Sequence, residues 1–501
     1  MKDEGSVNMQ LNMNLQLEDN SAKKAERVKT ASKKKAVATK QITWNELWVT
    51  GYETATGKHK AGILQTKVSA LDHQRLLEVK HAIEAGEMGT HVEDLKKFSK
   101  SHALALYKVL MEQRKEQIIA DMVSNMPSNY HCVTTEEQFL DMVALANKEK
   151  VVGLDTETTG VRYFHGDRIV GFSLSLEQAD QHYYVPIRHN VSDKQLPAEW
   201  VLEHIKPFIE NEDIGKVLHN AKFDYHMLSV EGIRLNNIVM DTMIAMSVLN
   251  ENEPSYALKN LATKYGKFFG FEDKSMTYEE LFGKGGFENT PLDIATVYAC
   301  KDTHLCLKFR QWILSHMEKQ PNLHAVYHQE ENEVLKVSIA MEQNGFKIDP
   351  EFAEEYCAKL RVQVEALEEQ LTELFDGINV SSNTQLAGLI YDQWGIETKD
   401  RKVDAKTLKT IVDTYKDSKP EVLAIQTLLE YRELHKLLST YIEPLPQKVG
   451  FDGRLHGQFN QSKTVTGRYA SQEPNLQNLP KDARKLIVAP EGKIILGIDF
   501  S

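Results

Sequence analysis

Residues 151–160 read VVGLDTETTG, and this stretch decides how the middle of the chain folds. Its apolar start, rich in valine, is typical of a buried strand. Asp155 and Glu157 follow two positions apart, and because side chains alternate between the faces of a strand, both carboxylates point to the same face. Neighbouring carboxylates repel each other, and a divalent cation, which prefers carboxylate oxygens, reverses that penalty. The stretch therefore predicts a strand that carries two candidate metal ligands.

Strands and helices alternate around this stretch, from about His131 to Trp312. RIVGFSLSL and HYYVPI are predicted strands, EWVLEHIKPFIEN is a predicted helix, and GKVLHNAKFDYHML runs from a strand into a helix. This alternation indicates an α/β domain. Asp224 lies at the strand-to-helix transition, while Tyr298 and Asp302 are four residues apart and therefore share one face of a helix.

Together these acidic motifs resemble the 3′–5′ exonuclease superfamily that uses four acidic residues and a tyrosine. The motifs match as DxE (Asp155, Glu157), NxxxD (Asn220, Asp224) and YxxxD (Tyr298, Asp302). The resemblance implies an RNase H-like fold and phosphodiester hydrolysis with two Mg²⁺ or Mn²⁺ ions, which the four acidic residues hold directly or through water. It also implies that Tyr298 orients the attacking water and that Asn220 and Val161 contact the terminal nucleotide.

Three histidines near these motifs leave another kind of metal site open. His219, His226 and His304 flank the acidic residues, so a mixed histidine and aspartate zinc site is conceivable. His304 is two residues from Asp302, and on a helix the two side chains face in different directions. We expect all three histidines to be structural or to lie next to the substrate.

The second half of the chain resembles family A DNA polymerases. HQEENEVLKVSIAMEQNGFKID predicts a helix that ends at Gly345, and Asp349 with Pro350 predicts the start of a long helix. LLEYRELHKLLSTYIEPLP resembles the helical thumb of that family, and FNQSKTVTGRYASQEPNLQNLP resembles its thumb-to-palm junction. The resemblance implies contacts to the backbone and minor groove of a primer-template duplex, made by four side chains: Arg468, Asn475, Gln477 and Asn478.

The run IILGIDFS at 494–501 predicts a buried strand, and it resembles the start of the first polymerase motif. The resemblance implies that Asp499 is a metal ligand of the polymerase site. Because the sequence as given stops inside that motif, we expect an incomplete polymerase site. We also expect it to depend on a C-terminal part with the fingers and the rest of the palm.

These patterns predict the following division of the chain. The fold class is an α/β RNase H-like 3′–5′ exonuclease domain, followed by an α-helical thumb and the first strands of an incomplete α+β palm. An N-terminal disordered basic arm and a helix-rich segment precede them. The boundaries are 1–42 for the arm, 43–130 for the helix-rich segment of unknown role, 131–315 for the exonuclease domain, 316–447 for the helical linker and thumb, and 448–501 for the start of the palm.

Composition adds only broad limits. The formal net charge is -12, which says little about nucleic-acid binding because local patches decide phosphate contacts. The four cysteines have no metal-ligand spacing, and no run of about 20 apolar residues could span a membrane. We therefore expect a cytoplasmic protein without a membrane partner, located in the host cell if a phage encodes it.

The sequence thus favours a fragment of a phage-type family A DNA polymerase with a proofreading exonuclease. Its expected partners are a single-stranded DNA 3′ end, a primer-template duplex, the C-terminal polymerase part and possible replisome proteins. Two alternatives stay open: a dedicated single-strand 3′–5′ exonuclease, and a non-catalytic replisome subunit that holds DNA.

Overall fold

The computed structural model describes residues 70–88, 100–271, 282, 285–416 and 418–498. The predicted arm at 1–42 and Asp499 both lie outside these residues. The chain divides into two compact units, Met1–Ile118 and Ile119–Ser501. Helix α1 spans Ala70–Glu84 in the first unit, and helix α2, Lys100–Ser124, begins in the first unit and ends in the second.

A six-stranded mixed sheet forms the framework of the second unit. Its strands are β1 (Tyr130–Cys132), β2 (Val151–Thr158), β3 (Ile169–Leu176), β4 (Gln181–Pro186), β5 (Gly215–Leu218) and β6 (Ile238–Asp241). They lie in the order β1-β4-β3-β2-β5-β6. The pairs β2 with β3 and β3 with β4 are antiparallel, and the other three pairs are parallel. The strands predicted from sequence at β2, β3, β4 and β5 are confirmed.

Six helices accompany the sheet in the described part of this region. They are α3 (Glu136–Ala146), α4 (Ala198–Ile209), α5 (Ala221–Val230), α6 (Thr242–Leu249), α7 (Leu258–Tyr265) and α8 (Leu292–Met317). The long helix α8 packs across β2, β3 and β4. Gly153 makes this close approach possible, because a Cβ atom there would lie 2.8 Å from the carbonyl oxygen of Thr303. Because Gly153 has no side chain, α8 can lie close to β2 just before Asp155 and Glu157.

A mainly helical region follows. Its helices are α9 (Pro321–Ala325), α10 (Asn332–Asn344), α11 (Pro350–Leu374), α12 (Asn383–Ala387), α13 (Ala405–Tyr415), α14 (Val422–Leu437) and α15 (Pro444–Gln447). Short strands lie at β7 (Phe346–Lys347), β8 (Arg454–Leu455), β9 (Gln458–Asn460) and β10 (Ala470–Gln472). Strand β7 pairs with β8, and β9 pairs with β10, both antiparallel.

The predicted boundaries between α10 and α11 are confirmed. Gly345 ends α10 with φ 51°, a conformation that favours glycine. The carboxylate of Asp349 accepts a hydrogen bond of 3.0 Å from the backbone N–H of Phe352 and so caps the start of α11. The apolar stripe of α11 packs with α14 into the hydrophobic core of this helical region, through Leu360, Val364, Leu367 and Leu371.

The strand predicted at 494–498 is wrong. Residues 493–498 form no strand, and the four apolar side chains are exposed by 58% to 86% (Ile494, Ile495, Leu496, Ile498). A strand needs a neighbour to bond its backbone N–H and C=O groups. No strand among the described residues pairs with this run, so its β-branched composition alone does not produce one.

Two further expectations concern composition. No helix among the described residues is long and apolar enough to cross a membrane. The four cysteines are free, and Cys300 and Cys306 are buried.

Candidate active site

Three elements bring the four predicted acidic residues together. Asp155 and Glu157 lie in β2, in unbroken register opposite Ser173 and Gly171 of β3. They therefore share one face of the sheet, as the sequence predicts. Asp224 is in the first turn of α5, and Asp302 is in α8.

Asp224 is fixed to β2 at the residue between the two strand acids. Its Oδ1 accepts a hydrogen bond of 2.9 Å from the backbone N–H of Thr156 and another of 2.7 Å from the Thr156 hydroxyl. Only 1% of Asp224 is exposed, so these bonds replace the water that the carboxylate loses on burial. The hydrogen bonds join the start of α5 to the strand that carries Asp155 and Glu157.

The charges of these groups act on one another. Burial raises the pKa of Asp155 well above its ordinary range, and the negative charges of Asp224, Glu157 and Asp302 raise it further. Burial likewise raises the pKa of Glu157 to about 8, and Asp302 adds to the increase. The pKa of Asp224 rises to about 7 because of burial, although the bonds from Thr156 oppose the change. The four carboxylates therefore form one electrostatic cluster in which full ionisation is unfavourable.

The cluster keeps an open side. Asp155, Glu157 and Asp302 are half-buried, whereas Asp224 is fully buried beneath them. A substrate or an ion can approach the three half-buried carboxylates from solvent, while burial raises the pKa values of Asp155 and Glu157.

Tyr298 lies one helical turn before Asp302 on α8, as the spacing predicts, and it is half-buried. The ammonium group of Lys259, the second residue of α7, lies 4.1 Å from the centre of the Tyr298 ring. The same positive charge lowers the pKa of Glu157, against the effects of burial and Asp302. Lys259 therefore lies over the tyrosine ring, and its charge acts on Glu157.

Asn220 and Val161 lie at the ends of the elements that carry the acids. Asn220 precedes α5 with φ 68°, and its backbone N–H donates to Oδ1 of Asp241 at 3.1 Å. Asp241 also accepts from the N–H groups of Ala221 at 2.8 Å and Met243 at 2.9 Å. One buried carboxylate thus caps the starts of α5 and α6 and fixes the position of Asn220. Val161 follows β2 and is 69% exposed.

The donor set suits hard divalent cations. The ordinary ligands of Mg²⁺ are one or two carboxylates, several waters and substrate phosphates. A cation also removes the repulsion that raises the pKa values of Asp155 and Glu157. The four carboxylates need not all lie around a single ion, because each of two ions binds only some of them.

The three histidines do not complete a zinc site with the acids. His219 bonds the Thr242 hydroxyl and the Tyr256 carbonyl, both at 2.9 Å, and His226 bonds Glu342 at 2.8 Å. His304 turns towards His182 and Asp180, and among the described residues the ligand atoms of these three lie within 4.8 Å of one another.

The arrangement of that histidine pair is unsuitable for a shared ion. The rings of His182 and His304 stack with centres 3.9 Å apart and an interplanar angle of 20°, so their planes meet roughly 10 Å away, far beyond the ~2.0–2.1 Å of a zinc–nitrogen bond. A metal bound by imidazole lies in the plane of its ring. One ion therefore cannot be bound by both rings as they stand.

Three of the four predicted duplex-contacting residues, Asn475, Gln477 and Asn478, form an exposed turn after β10, whereas Arg468 precedes that strand. Asn475 accepts through its Oδ1 from the N–H groups of Gln477 at 3.1 Å and Asn478 at 3.2 Å, and Gln477 accepts from the N–H of Ser471 at 3.2 Å. The side-chain oxygens of Asn475 and Gln477 thus build the turn. Asn475 and Gln477 are exposed, and so are Asn478 and Arg468. A cavity of about 420 Å³ beside them is lined by Asn475, Asn478 and the 440–448 segment.

Sequence reasoning did not single out Thr156, Asp241 as a cap, or Lys259. Thr156 lies inside the DxE motif, so its proximity to the acids was visible, but its bond to Asp224 depends on how α5 packs. Asp241 precedes a helix, which is a capping signal. No local pattern marks Lys259, because it meets Tyr298 only through packing of α7 near α8.

Two family comparisons decide what the chain is related to. Residues 130–318 match the family described as 3′-5′ exonuclease, and residues 350–501 match DNA polymerase family A. The chain thus carries a segment that matches the family A DNA polymerases. It carries the 3′–5′ exonuclease domain of that family on the N-terminal side of the polymerase sequence, and these families generally use divalent metal ions.

Relatives in the family include bacterial and phage enzymes. The chain is 30% identical over 376 residues to DNA polymerase I of Chloroflexus aurantiacus, covering 72% of this chain and 39% of the relative. It is 26% identical over 490 residues to DNA polymerase I of Borreliella burgdorferi, covering 90% and 52%. It is 26% identical over 385 residues to the DNA polymerase of Escherichia phage T5, covering 70% and 43%. The chain thus spans between 39% and 52% of the length of these relatives.

The fold of a solved polymerase is also similar. The POL domain of Pol1 from M. smegmatis, solved in complex with DNA primer-template and dNTP, superposes with a TM-score of 0.57 at 20% sequence identity. The match covers 71% of this chain and 57% of that one. At this identity the likeness concerns the fold.

Proposed function

We propose that this chain acts in phage-type DNA replication and removes nucleotides from the 3′ end of single-stranded DNA by hydrolysis with two Mg²⁺ or Mn²⁺ ions. The observation that carries the proposal is the convergence of Asp155, Glu157, Asp224 and Asp302 from three elements into one cluster, in which the other acids raise the pKa values of Asp155 and Glu157. Such a cluster is costly unless cations are bound there, and those cations can also bind a substrate phosphate. We also propose that the protein performs this role in the cytoplasm.

Each residue has a part in the proposed reaction. The four acids hold the ions, which when bound make hydroxide available near neutral pH and stabilise the leaving 3′ oxygen. Thr156 keeps Asp224 in place through its two hydrogen bonds. Tyr298 orients the attacking water through its hydroxyl. Asn220 and the exposed Val161 bind the terminal nucleotide beside the cluster.

The region after the exonuclease domain holds DNA in this proposal. We assign residues 316–447 to the thumb and residues 448–501 to the start of the palm. The amide groups of Asn475, Gln477 and Asn478 donate to minor-groove acceptors, which every base pair offers, so that the grip does not depend on sequence. Arg468 contributes a phosphate contact. The solved relative with DNA primer-template supports a duplex as the partner.

Polymerisation, with Asp499 as a metal ligand, belongs to the same proposal and concerns the whole protein. Because the chain spans only part of its relatives' length, nucleotide incorporation is to be tested separately from exonuclease activity. The C-terminal polymerase part and replisome proteins are the proposed protein partners.

A double variant tests the site. Asp155→Ala with Glu157→Ala should abolish degradation of a 5′-labelled single-stranded oligonucleotide in Mg²⁺ or Mn²⁺, because the two strand ligands are lost. Binding of the same oligonucleotide in EDTA, measured by fluorescence anisotropy, should change less than twofold. Asp213→Ala is a matched control, since Asp213 is an exposed acid outside the cluster. Undiminished degradation by the double variant would refute the site.

A further inference from the structure

Lys259 is the one cation that the described structure places directly over the proposed catalytic tyrosine. Its ammonium group lies 4.1 Å from the centre of the Tyr298 ring. This is well inside the ~6 Å range of cation–π attraction, which is stronger at partly desolvated sites. Lys259 and Tyr298 are both half-buried, and they come from different helices, α7 and α8.

The charge of Lys259 also acts on a strand acid. It favours the ionised form of Glu157, whose pKa burial and Asp302 raise. The ammonium group that lies over the Tyr298 ring therefore also influences the charge of a proposed metal ligand of β2.

We propose that Lys259 is a positioning residue of the exonuclease site, which holds the Tyr298 ring in place. This inference rests on the proposed exonuclease function. A tyrosine orients water only if its hydroxyl has a fixed direction, and a ring can rotate about its bonds unless a neighbour restrains it. Lys259 restrains the ring from its face.

Two other roles for Lys259 predict different kinetics. If Lys259 contacted a substrate phosphate, its loss would weaken DNA binding and raise KM. If it only stabilised the fold, its loss would lower the unfolding temperature without a specific link to the tyrosine hydroxyl. A positioning role lowers kcat with KM unchanged, and its effect disappears when the hydroxyl is removed.

The experiment is a double-mutant cycle on the whole chain. Lys259→Met keeps most of the side-chain stem and removes the charge, Lys259→Arg restores a cation that also stacks on aromatic rings, and Tyr298→Phe keeps the ring and removes the hydroxyl. Lys267→Met is the matched control, because Lys267 lies 5.0 Å from the centre of an exposed Phe268 ring outside the site. Steady-state degradation of labelled single-stranded DNA gives kcat and KM for each.

The expected result is a fall in kcat of about 3- to 30-fold for Lys259→Met, the range that a cation–π contact supports, with KM within about twofold of the parent. Lys259→Arg should recover most of the rate, and Lys267→Met should match the parent. In the Tyr298→Phe background, Lys259→Met should have no further effect.

Three outcomes decide against the role. A raised KM with kcat unchanged, an undiminished kcat, or an equal loss in the parent and Tyr298→Phe backgrounds would each overturn the role of Lys259 while the exonuclease assignment stands. Absence of degradation by the parent chain would overturn both proposals.

Discussion

Asp224→Asn should stabilise the metal-free protein at alkaline pH. Asparagine has nearly the same shape, and its side-chain oxygen can still accept the two hydrogen bonds from Thr156. It cannot ionise, so it removes the cost of a buried negative charge. It also removes one of the charges that raise the pKa of Asp155.

The magnitude follows from the pKa of Asp224, which burial raises from 3.8 to about 7. Below about pH 4 the folded and unfolded chains both carry the proton, so the group has no effect on stability. Between pH 4 and pH 7 the folded chain keeps a proton that the unfolded chain has lost, and each pH unit destabilises the fold by about 1.4 kcal/mol. Above pH 7 the cost is complete at about 4 kcal/mol, and about 3 kcal/mol of it develops between pH 5 and pH 8.

The assay is hydrogen–deuterium exchange in EDTA at pH 5 and pH 8, corrected for intrinsic exchange, on peptides from β2 and α5. These peptides report opening of the exonuclease domain alone, which matters because a chain of several domains does not unfold in one step. The variant should gain protection over the parent at pH 8 and gain little at pH 5. Added Mn²⁺ should stabilise the parent, by binding only the folded state, more than it stabilises the variant.

Asp213→Asn is the control, because this exposed aspartate lies outside the cluster and should show no pH-dependent difference. If Asp224→Asn and the parent have the same protection at pH 8 in EDTA, ionisation of the buried Asp224 carboxylate does not destabilise the fold. The electrostatic account of the cluster would then be refuted.

Three further variants test other contacts. Thr156→Ala removes the 2.7 Å hydroxyl bond that fixes the buried aspartate, so the exonuclease kcat should fall about 10-fold; Thr156→Ser keeps the hydroxyl and should retain the rate. Gly153→Ala places a Cβ atom against the backbone of α8 and should lower the stability of β2 and α8 peptides in hydrogen–deuterium exchange by about 1–3 kcal/mol, whereas Gly497→Ala, with nothing within 4 Å, should not change it. Arg468→Ala should reduce the salt slope of duplex binding by about 1 in anisotropy titrations, and Asn478→Ala should leave that slope unchanged.

Local patterns predicted the elements that carry the site. Period-two spacing placed Asp155 and Glu157 on one face of a strand, and four-residue spacing placed Tyr298 and Asp302 on one face of a helix. Both inferences depend only on the geometry of a single element, which sequence determines within a few residues. The boundary at Gly345 and the cap at Asp349 were readable for the same reason.

The failure at 494–498 has the opposite cause. The run of β-branched residues has high strand propensity, yet these side chains are exposed and unpaired within the described structure. Strand propensity reflects packing on a pleated surface beside a neighbour, so composition cannot decide whether the neighbour is there.

By itself the sequence determined the motifs, the alternation of strands and helices, and the similarity to family A polymerases with an exonuclease domain. Only the tertiary structure decided which groups meet. The order of the sheet and the packing of α5, α7 and α8 place Asp224 on Thr156 and Lys259 on Tyr298. These contacts join elements far apart in the chain, and no local spacing encodes the distance between two elements. The protonation of the cluster is likewise a tertiary property, because burial and neighbouring charges set it.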